Sequence, residues 1–287
     1  MFKFPFPLYL AEPAMGKVAL VTGASSGLGK ELARELAVRG YDLVLVGRRR
    51  GVLEELAGEL KDRYNVDAWA IDQDLSDLGK VSELVGKVKN LGVKVNVLVN
   101  NAGMGIYGPL SELNEADIVR VVNLNYIAPI LLIKGFLGDL AGERGCVVNV
   151  ISLAAHIPIP WFGIYTSTKA ALANITDALR IELKPLGIRV IGVYPGYMRT
   201  NFHNNTIVSS TALRARGSPI GPVMDPTYVA RRIAEKIDDP NFNGDVAPGF
   251  TYRMAGSLIR PLYPLIRRYV DRWFNRRYRE IMGSMQV

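Results

Sequence analysis

Six short runs of branched apolar residues, each followed by an amphipathic stretch, set the architecture of this 287-residue chain. The runs are Val18–Val21, Leu43–Val46, Val66–Ile71, Val95–Val99, Cys146–Ile151 and Ile188–Val193. Unbroken Val/Leu/Ile runs read as strands covered on both faces, because a strand with one wet face alternates apolar with polar. The intervening stretches read as helices near Gly27–Arg39, Val52–Tyr64, Asp77–Leu91, Asn114–Leu140 and Ile164–Pro185. Asp225-Pro226 opens a further helix to about Ile237, with Asp as cap and Pro at the first helical position. Asp245–Ala247 is a short seventh strand. Strands alternating with helices build a parallel sheet wound by right-handed crossovers. The expected fold is α/β: a doubly wound parallel sheet of about seven strands with helices on both faces. No repeat, low-complexity tract or linker breaks the pattern, so residues 1–250 read as one domain and residues 251–287 as a tail. Such sheets bind ligands beyond the C-terminal ends of their strands. The residues just past each run are therefore the candidates for a site.

The first run leads into Thr22-Gly23-Ala24-Ser25-Ser26-Gly27-Leu28-Gly29 and then a helix. Glycines let the backbone turn sharply and approach a pyrophosphate, and the helix N-terminus offers free N–H groups and a positive dipole end. Between strand and helix at the start of a wound sheet, this segment reads as a Rossmann-type dinucleotide site. Gly47-Arg48-Arg49-Arg50 closes the second run. An NAD site places an acid there for the ribose 2′-OH, an NADP site an arginine for the 2′-phosphate. Arg48 can pair with that phosphate, so NADP(H) is the expected cofactor; the alternative is a solvated basic turn. Asp74 and Leu75 lie past the third run and are placed to meet the adenine, with a surface turn as the rival reading. Asn100-Asn101-Ala102-Gly103 lies past the fourth. Its short side chains leave room for a cofactor ribose, and its asparagines can hold adjacent strands together.

Ser152 closes the fifth run, and Tyr165 and Lys169 lie beyond it on a helix, four residues apart and so on one face. A phenol ordinarily ionises at about 10, too high for acid–base work near neutrality. A nearby ammonium favours the phenolate and lowers that value. Lys169 is expected to act in this way, with Ser152 hydrogen-bonding the substrate oxygen. Together these motifs make the chain resemble the short-chain dehydrogenase/reductase family from about Lys17 to Ala247. Ser152 precedes Tyr165 by thirteen residues, as in that family. The resemblance extends to Pro195-Gly196-Tyr197-Met198-Arg199-Thr200 after the sixth run, where Pro195, Gly196, Met198 and Thr200 would contact the cofactor. It implies an asparagine in the long fourth helix that holds a water in a proton relay with the lysine. Asn125 fits the register better than Asn123. It also implies carbonyl reduction in which Tyr165 protonates the oxygen, Ser152 polarises it and Lys169 holds the ribose. Homodimers or homotetramers joined through the fourth and fifth helices are the usual assembly.

The residues rimming the substrate side are mostly apolar: Met104, Ile106, Ala154, Ile157, Ile159, Trp161, Phe162, Tyr197 and Met198. No carboxylate or arginine pair stands ready for a charged substrate, which points to a hydrophobic ketone or secondary alcohol. The alternatives are a lipid-type 3-oxo substrate or a non-catalytic NADP-binding scaffold. His156 reads equally as a pocket or a packed residue, and His203 falls in a segment, 199–222, that resembles the family's substrate lid. Two histidines and one cysteine, far apart, give no support for a metal site.

With 49% hydrophobic residues the chain can bury a full core. Its single cysteine, Cys146, reads as a buried inert thiol and allows no intrachain disulfide, which fits a reducing, cytoplasmic setting. Pro5 and Pro7 interrupt the apolar Met1–Leu10 and spoil a signal helix. No uncharged apolar stretch of about 18 residues is present, so no spanning helix is expected. Of the net charge of +8, +6 lies in 251–287, where eight arginines face Asp271 and Glu280. That concentration argues against nucleic-acid binding. Apolar residues at 258, 262, 265, 266, 269, 270, 273 and 274 give the tail helical spacing, delayed by Pro261 and Pro264. It reads either as a helix packed on the domain or a subunit, or as a basic amphipathic helix at an anionic membrane surface.

Overall fold

The computed structural model describes residues 16–200, 202, 205–214, 223–248 and 261–283. The N-terminal expectations for Met1–Leu10, the 250/251 boundary, His203 and residues 215–222 of the lid segment lie outside them.

Among the described residues nine strands form, in chain order β1 (Val18–Thr22), β2 (Asp42–Gly47), β3 (Ala68–Asp72), β4 (Val95–Asn100), β5 (Ile106–Tyr107), β6 (Cys146–Val150), β7 (Arg189–Val193), β8 (Ile207–Val208) and β9 (Asp245–Val246). Seven make one sheet in the order β3-β2-β1-β4-β6-β7-β9, with every pairing parallel. The order reverses beside β1, between β1 and β4, which makes the crevice above their C-terminal ends the topological switch point. The anticipated doubly wound sheet is present, each strand within two residues of its sequence reading. The pair β5–β8, too short to leave a periodic signal, forms a separate two-stranded sheet beyond it.

The helices are α1 (Gly27–Val38), α2 (Arg50–Tyr64), α3 (Leu78–Lys89), α4 (Glu115–Val122), α5 (Ala128–Gly135), α6 (Leu137–Gly142), α7 (Gly163–Glu182), α8 (Ser210–Arg214), α9 (Pro226–Asp238) and α10 (Tyr263–Gly283). Alternate strand residues point to opposite faces, and both faces are dry. Ala19, Val21, Leu43, Leu45, Val97 and Val148 pack with α1, α2 and α9. Val18, Leu20, Val44, Leu98 and Val147 pack with α3, α5 and α6. Burying two faces is what demanded continuous apolar runs. Cys146 is fully buried, and burial pushes its thiol up to about 11. Asp225 caps α9 by accepting from the Thr227 amide, with Pro226 at the first helical position.

The single long helix expected over Asn114–Leu140 is instead interrupted. A π-helical turn, Asn123–Ile127, separates α4 from α5, and Phe136 breaks α5 from α6. Glu115–Gly135 has the length and mean hydropathy (1.5) of a spanning helix. Here it lies along the sheet, with Ala128, Leu132 and Ile133 in the core.

Candidate active site

A cavity of about 630 Å³ opens above the C-terminal ends of the strands, a size suited to a cofactor or drug-sized ligand. The glycine loop forms one wall, with Gly23, Ser25, Ser26, Gly27 and Leu28 lining it. Gly23 and Gly27 have φ of +69° and +55°, the left-handed region that side chains resist. Gly29 lies beneath the loop, where a Cβ would fall 2.5 Å from both the Gly23 carbonyl and Asn101 Nδ2. Ser26 makes no side-chain cap at α1, and the first turn holds no acid. The amides of this helix start are therefore left for an anion. That cradle fits a dinucleotide pyrophosphate.

Arg48, Asp74 and Leu75 line the far end of the cavity. Arg49 is engaged by Ser25, donating to its carbonyl at 2.7 Å, whereas Arg48 borders both this cavity and a smaller polar one beside Asp74. Burial would raise the Asp74 carboxyl, but two hydrogen bonds from Ser76, with Arg48 nearby, hold it below its ordinary value.

Asn101, Ala102 and Gly103 line the centre. Thr22 Oγ1 accepts from the Asn101 and Ala102 amides at 2.9 and 3.0 Å and donates to the Val99 carbonyl. Asn101 Nδ2 donates to the Thr22 carbonyl at 2.8 Å. Asn100 Nδ2 donates to Asn149 Oδ1 at 2.9 Å, and Asn149 donates on to Thr176 of α7. These side chains do hold β1, β4 and β6 together. The roles of Thr22, Asn149 and Thr176 had no sequence signal beyond position.

Ser152, Tyr165 and Lys169 line the cavity together. Ser152 lies two residues past β6, accepts from the Ala154 amide at 3.1 Å and hydrogen-bonds the Tyr165 phenol. Lys169 Nζ donates to the Val150 carbonyl at 2.9 Å and lies 6.0 Å from the Tyr165 ring centre. Against expectation, the phenol is not lowered in this state. Burial pushes it up to about 12, opposed only by the hydrogen bond with Ser152. Burial likewise lowers the Lys169 amine to about 8. Spacing put both groups on one face, but the dryness of that face governs their ionisation.

Asn125 is fully buried within the π-helical turn, behind the cavity wall. Its Oδ1 accepts from the Met104 amide, and its Nδ2 donates to the Met104 carbonyl and to Thr168 Oγ1. A Cβ on Gly103 would stand 3.3 Å from Asn125 Oδ1 and 3.5 Å from Lys169 Nζ, so the two side chains converge there. Asn123 points elsewhere and donates to the Ser76 carbonyl.

Pro195, Gly196, Met198 and Thr200 close the opposite wall. The Thr200 side chain comes within 3.0 Å of where a Gly27 Cβ would lie, so this segment meets the glycine loop across the site. On the substrate side, Met104, Ala154, Ile159, Phe162 and Tyr197 line the cavity, with Ile157. Two sequence expectations need correction. Ile106 is fully buried in β5, packed with Val121. Trp161 does not line the cavity. Its φ of +63° turns it outward, where its ring meets Tyr107, Phe274 and Tyr278. His156 stacks on Tyr194 with ring centres 5.3 Å apart. Phe202, which sequence reasoning passed over, lines the cavity and meets the Tyr165 ring at 5.5 Å, while Phe162 stacks on that ring at 4.4 Å.

The short chain dehydrogenase profile matches residues 17–209. The chain belongs to that family. It is a Rossmann-type oxidoreductase acting on hydroxyl or carbonyl groups with a nicotinamide cofactor. Dehydrogenase/reductase SDR family member 7B of Mus musculus is 34% identical over 227 residues, covering 77% of this chain and 68% of that protein. An alcohol dehydrogenase from Thermococcus sibiricus, solved with 5-hydroxy-NADP, superposes with a TM-score of 0.72 at 29% identity, covering 80% of this chain and 95% of that one. The bulky-bulky ketone specific alcohol dehydrogenase of Comamonas testosteroni gives 0.71 at 29% identity, covering 87% and 93%.

Proposed function

We propose that this protein is an NADP(H)-dependent reductase of hydrophobic ketones, able to run in reverse on secondary alcohols. The observation that carries the reading is a single cavity with Arg48 at one end and Ser152, Tyr165 and Lys169 at the other. Arg48 supports the 2′-phosphate form of the cofactor over NAD(H), as does the cofactor of the Thermococcus sibiricus relative. The rest of the cofactor would run along Gly23–Leu28, Asp74-Leu75, Asn101–Gly103 and the Pro195–Thr200 segment. Bound there, the nicotinamide supplies or accepts the hydride at the carbonyl carbon.

The chain's own residues handle the oxygen and its proton. Ser152 hydrogen-bonds and orients the carbonyl oxygen. Tyr165, protonated throughout the neutral range at a value of about 12, gives its proton to that oxygen as the carbon is reduced. Lys169 positions the ribose and restrains charge at the phenol. Asn125, close to Lys169, would hold a water in a relay with Lys169 that replaces the phenol's proton. Met104, Ala154, Ile159, Phe162 and Tyr197 exclude water from the reacting carbon and select apolar substituents. Exposed Val119 on α4 and Ile181 on α7 support a homodimer or homotetramer through those helices. We divide the chain into a catalytic domain, 1–250, and a tail, 251–287, and assign it to the cytoplasm with the tail suited to a surface contact.

The test is NADPH oxidation against a panel of aliphatic, aromatic and polycyclic ketones. Tyr165→Phe should lower turnover by roughly three orders of magnitude or more while NADPH binding persists, in keeping with loss of a positioned proton donor. Near wild-type turnover in that variant would remove Tyr165 from the chemistry.

A further inference from the structure

The tail helix α10 presents two apolar rows rather than one. Ile266, Val270 and Phe274 are half-buried. Phe274 and Tyr278 pack edge-on against Trp161 at 5.4 and 6.4 Å. A second row is left outside: Leu262, in the turn that leads into the helix, and Leu265, Tyr269 and Trp273 on it are 41%, 62%, 70% and 39% exposed. Their steps of three and four residues keep them on one side of the helix. Beside them runs a parallel row of exposed arginines, Arg268, Arg272, Arg276 and Arg279. Asp271 is the one carboxylate between residues 261 and 279.

We propose that this face docks on an anionic lipid bilayer and holds the mouth of the substrate cavity at the membrane surface, so that carbonyl substrates enter from the lipid. The inference rests on the ketone-reductase reading of the cavity and names where its substrate comes from.

Charge selects the occupant. A second copy of the chain would bring the same arginine row against itself, with only Asp271 and Glu280 on each side to offset it. A nucleic acid would meet the arginines but give Leu262 and Leu265 no apolar depth. An anionic bilayer does both, with phosphate and carboxylate headgroups for the arginines and acyl chains for the apolar row. Tyr269 and Trp273 carry the amphipathic rings favoured at that boundary.

The link to the cavity runs through Trp161. It lies between Ile159 and Phe162, both of which line the cavity, and Gly108 donates to its carbonyl at 2.8 Å. Its left-handed backbone turns the ring onto the tail helix rather than into the site. The helix is thereby seated against the loop that rims the substrate end.

Sedimentation of the full chain with vesicles tests this. Wild type should pellet with phosphatidylcholine–phosphatidylserine vesicles and remain largely in solution with pure phosphatidylcholine. The variants Leu265→Gln/Tyr269→Gln/Trp273→Gln and Arg268→Gln/Arg272→Gln/Arg276→Gln should each lose roughly tenfold or more of that binding, since both apolar burial and headgroup attraction are needed. Both should keep the wild-type melting temperature and reduce a water-soluble ketone at the wild-type rate, while reduction of a vesicle-dissolved ketone falls. Equal pelleting with both vesicle types, or undiminished pelleting of either variant, overturns the proposal. So does a drop in oligomer mass on light scattering for the apolar variant, which would make the face a contact between copies. Failure to reduce any water-soluble ketone, with pelleting intact, counts against the reductase reading alone.

Discussion

Lys169 is 4% exposed, and its charge is a cost to the cofactor-free fold that can be measured by removing it. Burial takes the amine from 10.5 to about 8, which converts to roughly 3 kcal/mol for keeping the ammonium charged at neutral pH. Lys169→Met fills much the same space without the charge. It also leaves the Val150 carbonyl without that charged donor, at a cost of about 1–3 kcal/mol. The variant should therefore gain up to about 2 kcal/mol at pH 7, or up to about 4–8 °C in Tm for a domain of this size. The pH dependence has a definite sign. Because the folded-state value is below the unfolded one, the unfolded chain binds more protons between the two, and wild-type stability rises with pH in that window. The penalty is complete below about pH 8 and fades toward 10.5. The gap between variant and wild type should therefore be widest near pH 7 and narrow above pH 8. Thermal melts by circular dichroism without cofactor, across that range, measure it. A difference between variant and wild type that stays constant from pH 7 to pH 10 would refute the reasoning, because burial would not then be what depresses the amine. The same variant should lose nearly all ketone reduction.

Two further outcomes concern the cofactor wall. Arg48→Asp should reverse the NADPH/NADH preference in steady-state kinetics, since it exchanges a phosphate partner for a ribose-hydroxyl partner. An unchanged ratio would return Arg48 to a solvated turn. Gly29→Ala would place a Cβ 2.5 Å from the Gly23 carbonyl. It should cost about 1–3 kcal/mol of stability and weaken NADPH binding by fluorescence titration, because the loop must lift to relieve the contact.

What the sequence disclosed and what it withheld divide along a physical line. Features fixed by neighbours along the chain were legible. Two-faced burial writes continuous Val/Leu/Ile runs, and the sheet had to take its glycine turn and its Ser-Tyr-Lys set to the same end. Features fixed by contacts distant in sequence were not. Trp161 looks like a pocket residue because its neighbours Ile159 and Phe162 are pocket residues. Its outward turn depends on Phe274, more than a hundred residues on. Phe202 reaches the Tyr165 ring from a segment whose sequence says only that it is a lid. The long helix was legible as apolar periodicity, but periodicity cannot announce a π-helical turn at Asn123–Ile127, which adds one residue without leaving the face.

The phenol's ionisation shows the same divide most sharply. Spacing places a cation on the face of Tyr165, and a cation alone lowers a phenol. Burial decides the sign, and burial is the sum of Phe162, Phe202 and the sheet beneath. Burial therefore holds Tyr165 neutral, at about 12, while Lys169, at about 8, remains mostly charged at pH 7. A site prepared in this way holds its proton ready for a carbonyl oxygen. Abstracting one from an alcohol would need added positive charge to bring the phenol down.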